Sequence, residues 1–469
     1  MEFINSFPGY EFKNVEGCLG KQNMYRGTNL GFGGYVYFEA GAYSNVALLD
    51  IQSLHPSSII SLNKFGKYTQ KYKELRDLRV AIKEHDFDRA RTLLGGTVAE
   101  YLTNEDEADQ LAQAAKLILN STYGFCSATF DNPFRDSRDK NNTVALKGAL
   151  FMRTLQDEVQ KRGFTVAHIK TDSIKVPNAT KEIVDFIMDF AKPYGYVFEH
   201  EATYDRMCLV NGSTYIAKYS DCETCEKLYG YVPKKNKKYP NQWTATAKQF
   251  QVPYVFKTLF SKEPIEFSDL CETKEVKTAI YLDKNEGFED VSLYEDLAGI
   301  RTRAKNVADF DLSKKEERLL KSYSYLSDEE LVDKIKNGHN YTFVGKVGNF
   351  CPVKPGCNGG ILVRESKDEF GNVKYDSVTG TLKPDKTPYR WLESEFVKKL
   401  GKENDIDKSY YRKLVDDAVD TVSQYCDFEQ FVSDEPFTPD SLGTLPEHPL
   451  DDDELPWYED EELEMFKRR

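Results

Sequence analysis

Hydrophobic and polar positions follow different periods along this 469-residue chain, and they predict a mixture of helices and strands. The apolar run VALLDI at residues 46–51 predicts a buried strand, and Pro56 follows in a turn. Apolar residues around a polar turn predict a β-hairpin with Thr171-Asp172-Ser173 at its tip. Apolar residues at helical spacing predict helices over residues 69–94, 104–119, 145–161, 181–192 and 407–424. Alternating runs of this kind predict an α+β multidomain protein.

Length and composition fit a large, well-packed protein. A chain of 469 residues is too long for one compact core. Hydrophobic residues make up 40% and charged residues 30%, and no apolar run approaches the ~20 residues of a membrane span. The N-terminal residues lack the basic and apolar stretches of a signal peptide. We therefore expect a soluble, cytoplasmic protein without a membrane partner.

The 9 cysteines are scattered and odd in number, which argues against a disulfide framework. Cys222 and Cys225 form the one CxxC pair, with Cys208 as the nearest further thiol. A structural zinc site needs about four ligands. The pair is therefore interpreted as a turn with two reduced thiols, with metal binding left as the less favoured alternative.

The net charge of −14 is unusual for a protein that binds nucleic acid, but the charge is unevenly distributed. Residues 434–469 contain 13 acidic and 3 basic side chains, a net of −10, which leaves −4 for residues 1–433. The body of the chain can therefore carry a basic channel. The acidic, proline-containing segment 434–469 is predicted to be a disordered tail.

Two aspartates stand where a carboxylate can be held firmly and still reach solvent. Asp50 lies at the end of the predicted buried strand, and Asp172 lies at the hairpin tip. Phosphoryl transfer from a nucleoside triphosphate uses two such carboxylates to hold two divalent ions ~4 Å apart. Taken alone, each residue is more simply interpreted as an ordinary strand-end or turn aspartate.

Three motifs in order change that interpretation. They are residues 50–57 (DIQSLHPS), residues 116–124 (KLILNSTYG) and residues 170–173 (KTDS). These resemble the DxxSLYPS, KxxxNSxYG and DTDS motifs of family B DNA polymerases, and the resemblance covers roughly residues 25–260 well. The short intervals between the motifs resemble polymerases of bacteriophages and mobile elements, for which the location would be the host cytoplasm. They also indicate a nucleic-acid primer.

The resemblance implies a right-hand polymerase fold with an antiparallel palm sheet, two-helix fingers and a thumb. The implied division is a pre-palm segment at 1–45, a palm at 46–65 and 119–239, fingers at 66–118, a thumb at 240–345, a C-terminal region at 346–433 and the tail at 434–469. The implied activity is template-directed DNA synthesis, in which two Mg²⁺ ions support transfer from dNTPs to a primer.

The resemblance also implies roles for individual residues. Asp50 and Asp172 would be catalytic and would hold both metal ions together with the carbonyl of Ile51. The nucleotide would contact Ser53, Leu54, His55, Arg79, Lys83, Lys116 and Asn120. Primer-template DNA would contact Gly33, Gly34, Tyr123, Gly124, Thr171, Ser173, Tyr215, Lys218, Lys234 and Lys235. For Arg79 and Lys83 a solvated helix face is the alternative, and for the lysines of the KKNKK run at 234–238 it is a solvated loop.

Four departures from the family pattern bear on function. Lys170 replaces the first aspartate of DTDS, although the second, Asp172, is the indispensable one in the family. His55 replaces the tyrosine that excludes a 2′-hydroxyl, and Ser213 stands where the family usually has a lysine. From the roughly fifty residues before Asp50 we expect no proofreading exonuclease domain in this chain, and the DxE at Asp427 is interpreted as a helix cap.

Two other functions therefore remain open. One is a non-catalytic, polymerase-fold subunit that binds nucleic acid, which Lys170 motivates. The other is a polymerase or primase tolerant of ribonucleotides, which His55 motivates. Beyond DNA and dNTPs, a separate exonuclease chain or a processivity factor would be the further partners.

Overall fold

The protein is described from a computed structural model, in which the chain divides into two compact units. The first unit comprises Met1–Ala247 and Thr421–Arg469, and the second comprises Lys248–Asp420. The structure describes residues 2–136, 139, 141–283, 291–306, 311–338, 341–354, 357, 362–367, 373–379, 389–399 and 401–438. Its mixture of helices and antiparallel sheets is an α+β architecture, as predicted.

The first unit contains ten strands and most of the helices. The strands are β1 (Tyr10–Asn14), β2 (Lys21–Tyr25), β3 (Thr28–Asn29), β4 (Val36–Phe38), β5 (Gly41–Ile51), β6 (His168–Lys170), β7 (Ser173–Val176), β8 (Phe198–Leu209), β9 (Tyr215–Tyr219) and β10 (Trp243–Thr246). The helices are α1 (Leu54–Ser61), α2 (Thr69–Lys83), α3 (Phe87–Thr92), α4 (Glu105–Ser127), α5 (Thr143–Lys161), α6 (Lys181–Ala191), α7 (Cys222–Tyr229) and α8 (Lys234–Lys238).

A seven-stranded antiparallel sheet organises this unit, in the order β10-β9-β8-β5-β7-β6-β4. Successive strand residues point to opposite faces. At the end of β5, Leu49 and Ile51 join the main apolar core, together with residues of α5 and α6. Leu48 belongs instead to a smaller apolar cluster, so it and Asp50 share the opposite face. The sheet therefore has one face that forms the core and one face on which polar chemistry can be placed.

Helices α2 and α4 pack against each other through Leu78, Ala81, Ala108 and Ala112. The prediction of one continuous helix over 69–94 is wrong, because the helix ends with α2 at Lys83. Asp86 then starts α3, its side chain accepting a hydrogen bond from the Arg89 N–H.

Two other predicted elements have different bounds or types. Helix α4 begins after the cap Asn104, close to the predicted start at 104, but it continues through the NSTYG segment to Ser127. The KKNKK run at 234–238 was predicted to be a loop, and this is wrong because it forms α8. The buried Asn236 side chain fixes that short helix by donating to the carbonyls of Thr203 and Ser220, both at 2.8 Å.

The second unit has its own sheet. Its strands are β11 (Glu272–Asp283), β12 (Tyr341–Val353), β13 (Leu362–Lys367), β14 (Val373–Thr379) and β15 (Arg390–Glu393), in the antiparallel order β14-β13-β11-β12-β15. Its helices are α9 (Lys248–Gln251), α10 (Pro253–Phe256), α11 (Val291–Asn306), α12 (Lys314–Ser322), α13 (Asp328–Gly338), α14 (Ser394–Lys399) and α15 (Lys408–Ser423), the last of which ends in the first unit. The predicted boundary between the thumb and the C-terminal region, at 345/346, therefore lies inside this unit and within β12.

The described end of the chain packs in the first unit. Helix α16 (Phe428–Val432) begins at Asp427, whose side chain accepts from the Gln430 N–H, so the predicted helix cap is confirmed. The buried Arg206 guanidinium donates to four carbonyl oxygens of the segment 430–435. The start of the predicted tail, 434–438, is thus attached through Glu435, whereas 439–469 lie outside the described residues. Among the described residues, no helix combines the length and apolar character that crossing a bilayer requires.

Candidate active site

Backbone pairing brings Asp50 and Asp172 to one place. Asp50 is the next-to-last residue of β5 and lies opposite Ser173 at the start of β7. Asp172 occupies the turn between β6 and β7, which confirms the predicted hairpin and its tip. The Ile51 N–H donates to the Asp172 carbonyl oxygen at 2.9 Å. Strand pairing rather than side-chain contact therefore holds the two carboxylates together.

The turn that carries Asp172 is fixed by a close backbone approach. Thr171 has a φ of 55°, and its N–H donates to the Tyr35 carbonyl at 2.9 Å. A Cβ on Gly34, where φ is +153°, would lie 2.9 Å from both Cγ2 and Oγ1 of Thr171. Gly34 was predicted to contact DNA, and the structure gives it this second reason to be glycine.

Ten residues predicted to hold metal or nucleotide line one pocket in the first unit. They are Asp50, Ile51, Ser53, Leu54, His55, Arg79, Lys83, Lys116, Asn120 and Asp172. Lys234, predicted to contact DNA, lines the same pocket. The pocket therefore combines the two aspartates with four cationic side chains, the polarity that a nucleoside triphosphate with its metal ions requires.

Three of the four cations of this pocket, Arg79, Lys83 and Lys116, come from the two packed helices α2 and α4. Arg79, on α2, donates from Nη1 to Ser53 Oγ at 3.0 Å. Ser53 has a φ of 59° and precedes α1, so Arg79 fixes the entry to that helix. Lys83 and Lys116 are exposed, and neither has an ion pair with another described residue. Both are therefore free to meet an anionic ligand.

His55, which lines this pocket, stacks on an aromatic ring outside it. The rings of His55 and Tyr123 are parallel to within 5°, with centroids 3.8 Å apart. Asn142 Nδ2 donates to the Tyr123 hydroxyl at 3.1 Å and holds it in place. Burial lowers the pKa of His55 to about 4, so its imidazole is neutral at pH 7. Its Nδ1 is buried without a hydrogen-bond partner among the described residues.

Sequence reasoning missed three acidic residues of the pocket, which are Glu84 at the end of α2 and Glu199 and Glu201 on β8. Burial, followed by repulsion from Asp172 and Glu201, raises the pKa of Asp50 to about 8. Burial and the charge of Glu201 also raise the pKa of Asp172. The alternation Glu199-His200-Glu201 in a strand was the available signal. Such crowded carboxylates are stabilised by a cation.

The described part of the chain nevertheless contains no three His, Cys, Asp or Glu side chains that already converge on a metal position. Asp50, Asp172 and the Ile51 carbonyl are the groups at this end of the sheet that would hold a divalent ion. They are hard oxygen donors of the kind Mg²⁺ prefers.

A second pocket lies on the same face of the sheet and shares Asp50 and Glu201 with the first. It contains Lys170, whose Nζ donates to Ser213 Oγ at 3.2 Å. Lys170 and Ser213, two of the three positions at which the sequence departs from the motif pattern, are thus in contact. The predicted DNA contacts Ser173, Tyr215 and Lys235 also line this second pocket.

A buried basic pair forms the floor of the second pocket. Lys175 is 3% exposed, and its Nζ donates to His168 Nδ1 at 2.9 Å. The His168 Nε2 lies 3.0 Å from the Gly212 carbonyl, so a neutral ring satisfies both contacts. Burial lowers the pKa of Lys175 to about 8 and that of His168 to about 3.

The remaining predicted contacts lie around these pockets. Lys218 pairs with Asp434 at 2.9 Å, and Lys234 and Lys235 pair with Glu199 and Glu201 at 3.2 and 2.9 Å. Gly33, Gly34, Gly124, Tyr123 and Thr171 line neither pocket. Cys222 and Cys225 of the CxxC pair lie on α7. Cys225 is buried, and neither thiol forms a disulfide.

Comparison with known proteins gives similarity at the level of structure alone. No family model matches the sequence, and no curated protein matches it. The fold is similar to the structure of the family B DNA polymerase from the hyperthermophilic archaeon Pyrobaculum calidifontis, with a TM-score of 0.36 and 14% identity. The similarity covers 82% of this chain and 46% of that chain, so this chain spans about half the length of that polymerase. A similarity at this level assigns no function to this chain.

Proposed function

We propose that this protein is a DNA polymerase that extends a nucleic-acid primer along a template with dNTPs. The observation that carries the proposal is the first pocket, where Asp50 and Asp172 face Arg79, Lys83 and Lys116. Two carboxylates beside free cations form a site for a metal-bound triphosphate. The sheet would be the palm, and the paired helices α2 and α4 the fingers, of a right-hand fold.

Each part of the pocket has a task in nucleotidyl transfer. Divalent ions, when bound, activate the primer hydroxyl and neutralise the leaving pyrophosphate. Asp50 and Asp172 would hold these ions on a backbone fixed by strand pairing. Arg79 and Lys116 would bind the outer phosphates, and the backbone N–H groups at the start of α1 would receive their oxygens. The His55–Tyr123 stack would pack beside the sugar and base.

The test is primer extension by the purified chain and by Asp50→Asn and Asp172→Asn. Both substitutions keep the side-chain shape and remove the charge, so we expect extension to be abolished while far-UV circular dichroism stays unchanged. Glu158→Gln on the outer surface of α5 is the matched control, since it also removes one carboxylate charge. Ordinary extension by either aspartate variant would refute the assignment, and no extension by the wild-type chain would favour the non-catalytic, DNA-binding alternative.

The unpartnered Nδ1 of His55 favours a second candidate, a polymerase that accepts ribonucleotides. A neutral imidazole is smaller than a phenol ring and can hydrogen-bond to a 2′-hydroxyl. Extension rates with dNTPs and rNTPs should then differ little, and His55→Tyr should increase the preference for dNTPs. Strong rejection of rNTPs by the wild-type chain would exclude this candidate.

A further inference from the structure

A cluster of exposed phenylalanines lies at the C-terminal end of α4. Phe125, on the last turn of that helix, is 40% exposed, and Phe130 and Phe134 in the following loop are 56% and 42% exposed. The ring centroids of Phe125 and Phe130 lie 6.2 Å apart in an edge-to-face contact, and those of Phe125 and Phe134 lie 6.0 Å apart. These three side chains form the aromatic surface. None of them lines either pocket, so the proposed nucleotide site does not account for them.

One asparagine fixes the aromatic surface. Asn132 Nδ2 donates to the Phe125 carbonyl at 3.0 Å and to the Phe130 carbonyl at 3.2 Å. Its Oδ1 accepts from the Phe134 N–H at 2.9 Å. A single polar side chain thus holds all three phenylalanines in place while their rings remain exposed to solvent. A contiguous exposed apolar patch of this kind marks an interaction site.

A strongly basic segment adjoins the aromatic surface. Phe65 packs edge-on against Phe134, with ring centroids 5.5 Å apart, and so joins the segment 62–73 to the surface. This segment, LNKFGKYTQKYK, contains four lysines and no acidic residue, although the whole chain has a net charge of −14. Two of the lysines, Lys67 and Lys71, are exposed, and neither has an ion pair with another described residue. A partner that complements this region is therefore negatively charged.

Aromatic rings beside uncommitted cations fit single-stranded nucleic acid. Unpaired bases stack on aromatic side chains, and basic side chains follow the phosphates that link them. Double-stranded DNA would leave the rings unused, because its bases already stack on one another. The location also fits, since Tyr123 and Gly124, both predicted to contact DNA, directly precede Phe125 on α4. Tyr123 in turn stacks on His55 of the nucleotide pocket.

We infer that the aromatic surface and the segment 62–73 bind the unpaired template strand beyond the position of nucleotide insertion. This inference rests on the proposed function, because a primer that ends at the nucleotide pocket leaves the template unpaired beyond it. Phe130, the most exposed of the three rings, stacks on a base, and Lys67 and Lys71 bind phosphates. The surface therefore adds affinity for a primer-template with a long template overhang and none for one with a short overhang.

The test is fluorescence anisotropy of two labelled primer-templates with the full chain, in EDTA and without nucleotide. One has a template overhang of a single nucleotide and the other an overhang of about eight, a typical length for a single-strand site. The wild-type chain should bind the long overhang more tightly. Phe130→Ala should weaken that binding about fivefold, the lower end for one stacked base, and leave the short overhang unaffected.

Two further variants separate stacking from apolar contact. Phe130→Leu keeps an apolar side chain without a flat ring, so it should lose as much affinity as Phe130→Ala. Phe130→Trp keeps a flat ring and should retain the wild-type preference. Phe343→Ala is the matched control, because it removes another exposed phenylalanine, on β12, and should not alter the ratio of the two affinities. Thermal melting should show that all variants are folded.

The lysines have their own signature. Lys67→Gln and Lys71→Gln should each reduce the slope of log affinity against log salt for the long overhang by about 0.7, the value for one phosphate contact on a single strand. A wild-type overhang preference in both Phe130→Ala and Phe130→Leu would overturn the inference and leave the surface to a protein partner. An equal loss for both overhang lengths would overturn it as well. Primer extension without any overhang preference would refute this site alone, whereas overhang preference without extension would refute the polymerase activity alone.

Discussion

Replacing Gly34 with alanine should disturb the turn that carries Asp172. The new Cβ would lie 2.9 Å from Thr171 Cγ2 and Oγ1 and 3.2 Å from its Cβ, closer than carbon atoms pack. Overpacking of this kind costs about 1–3 kcal/mol. The positive φ of Gly34 adds roughly 1 kcal/mol for a residue with a side chain. The free energy of unfolding should therefore fall by about 2–4 kcal/mol.

Urea unfolding followed by far-UV circular dichroism would measure this loss, with Gly33→Ala as the matched control. A Cβ at Gly33 meets nothing within 4 Å, and its φ lies outside the positive region. If Gly34→Ala is as stable as Gly33→Ala, the close approach is not real and the reasoning fails.

A second substitution identifies the contact itself. Thr171→Gly removes the atoms that the new Cβ would meet, and glycine tolerates the φ of 55° at that position. In the Gly34→Ala background it should recover the part of the stability lost to overpacking. Primer extension should follow the same order, because a shift of about 1 Å in Asp172 can cost on the order of a hundredfold in rate. Equal loss with and without Thr171→Gly would contradict this explanation.

Three further predictions concern other parts of the molecule. Lys116→Ala should raise the KM for dNTP and leave DNA affinity unchanged, since the exposed Lys116 lines the nucleotide pocket; a defect mainly in DNA binding would contradict this. The free energy of unfolding should fall as pH decreases from about 6.5 towards 3, because the buried His168 stays neutral while the unfolded chain binds a proton, and His168→Gln should reduce this slope in urea titrations. Peroxide should oxidise Cys271 and Cys351, whose Sγ atoms lie 3.3 Å apart, to a disulfide by taking up their two electrons. Peptide mass spectrometry would detect that cross-link, and its absence under conditions that oxidise the exposed Cys18 would contradict the prediction.

Much of the local structure could be predicted from the sequence, because local signals determine it. Hydrophobic period and turn residues predict the strand at 46–51, the hairpin tip at Asp172 and the start of α4 near residue 104. The break between α2 and α3 was missed because residues 83–86 contain no glycine or proline that would mark it. Helix α8 was missed because a run of lysines is typical of a solvated loop. The hydrogen bonds that fix the segment join Asn236 to residues distant in the sequence.

The candidate site was predictable only in part. The three motifs indicated the residues that now line the first pocket. The alternation Glu199-His200-Glu201 indicates that the two glutamates share one face of a strand, but their place beside Asp50 depends on the register of β8 against β5, which the sequence does not give. The contact between Lys170 and Ser213 joins residues 43 positions apart, and no local pattern reports it.

The alternation of faces along β5 has a consequence for how this protein can vary. Leu49 and Asp50 are adjacent in the chain, yet one packs in the apolar core and the other lines both pockets. A library of substitutions along β5 can be scored separately for protein abundance and for activity. The positions sensitive in abundance should then alternate with the positions sensitive only in activity. At Leu49 and Ile51 the amount of folded protein would change, whereas at Asp50 abundance would persist while activity disappears. Neighbouring codons of this strand are thus under selection for different properties.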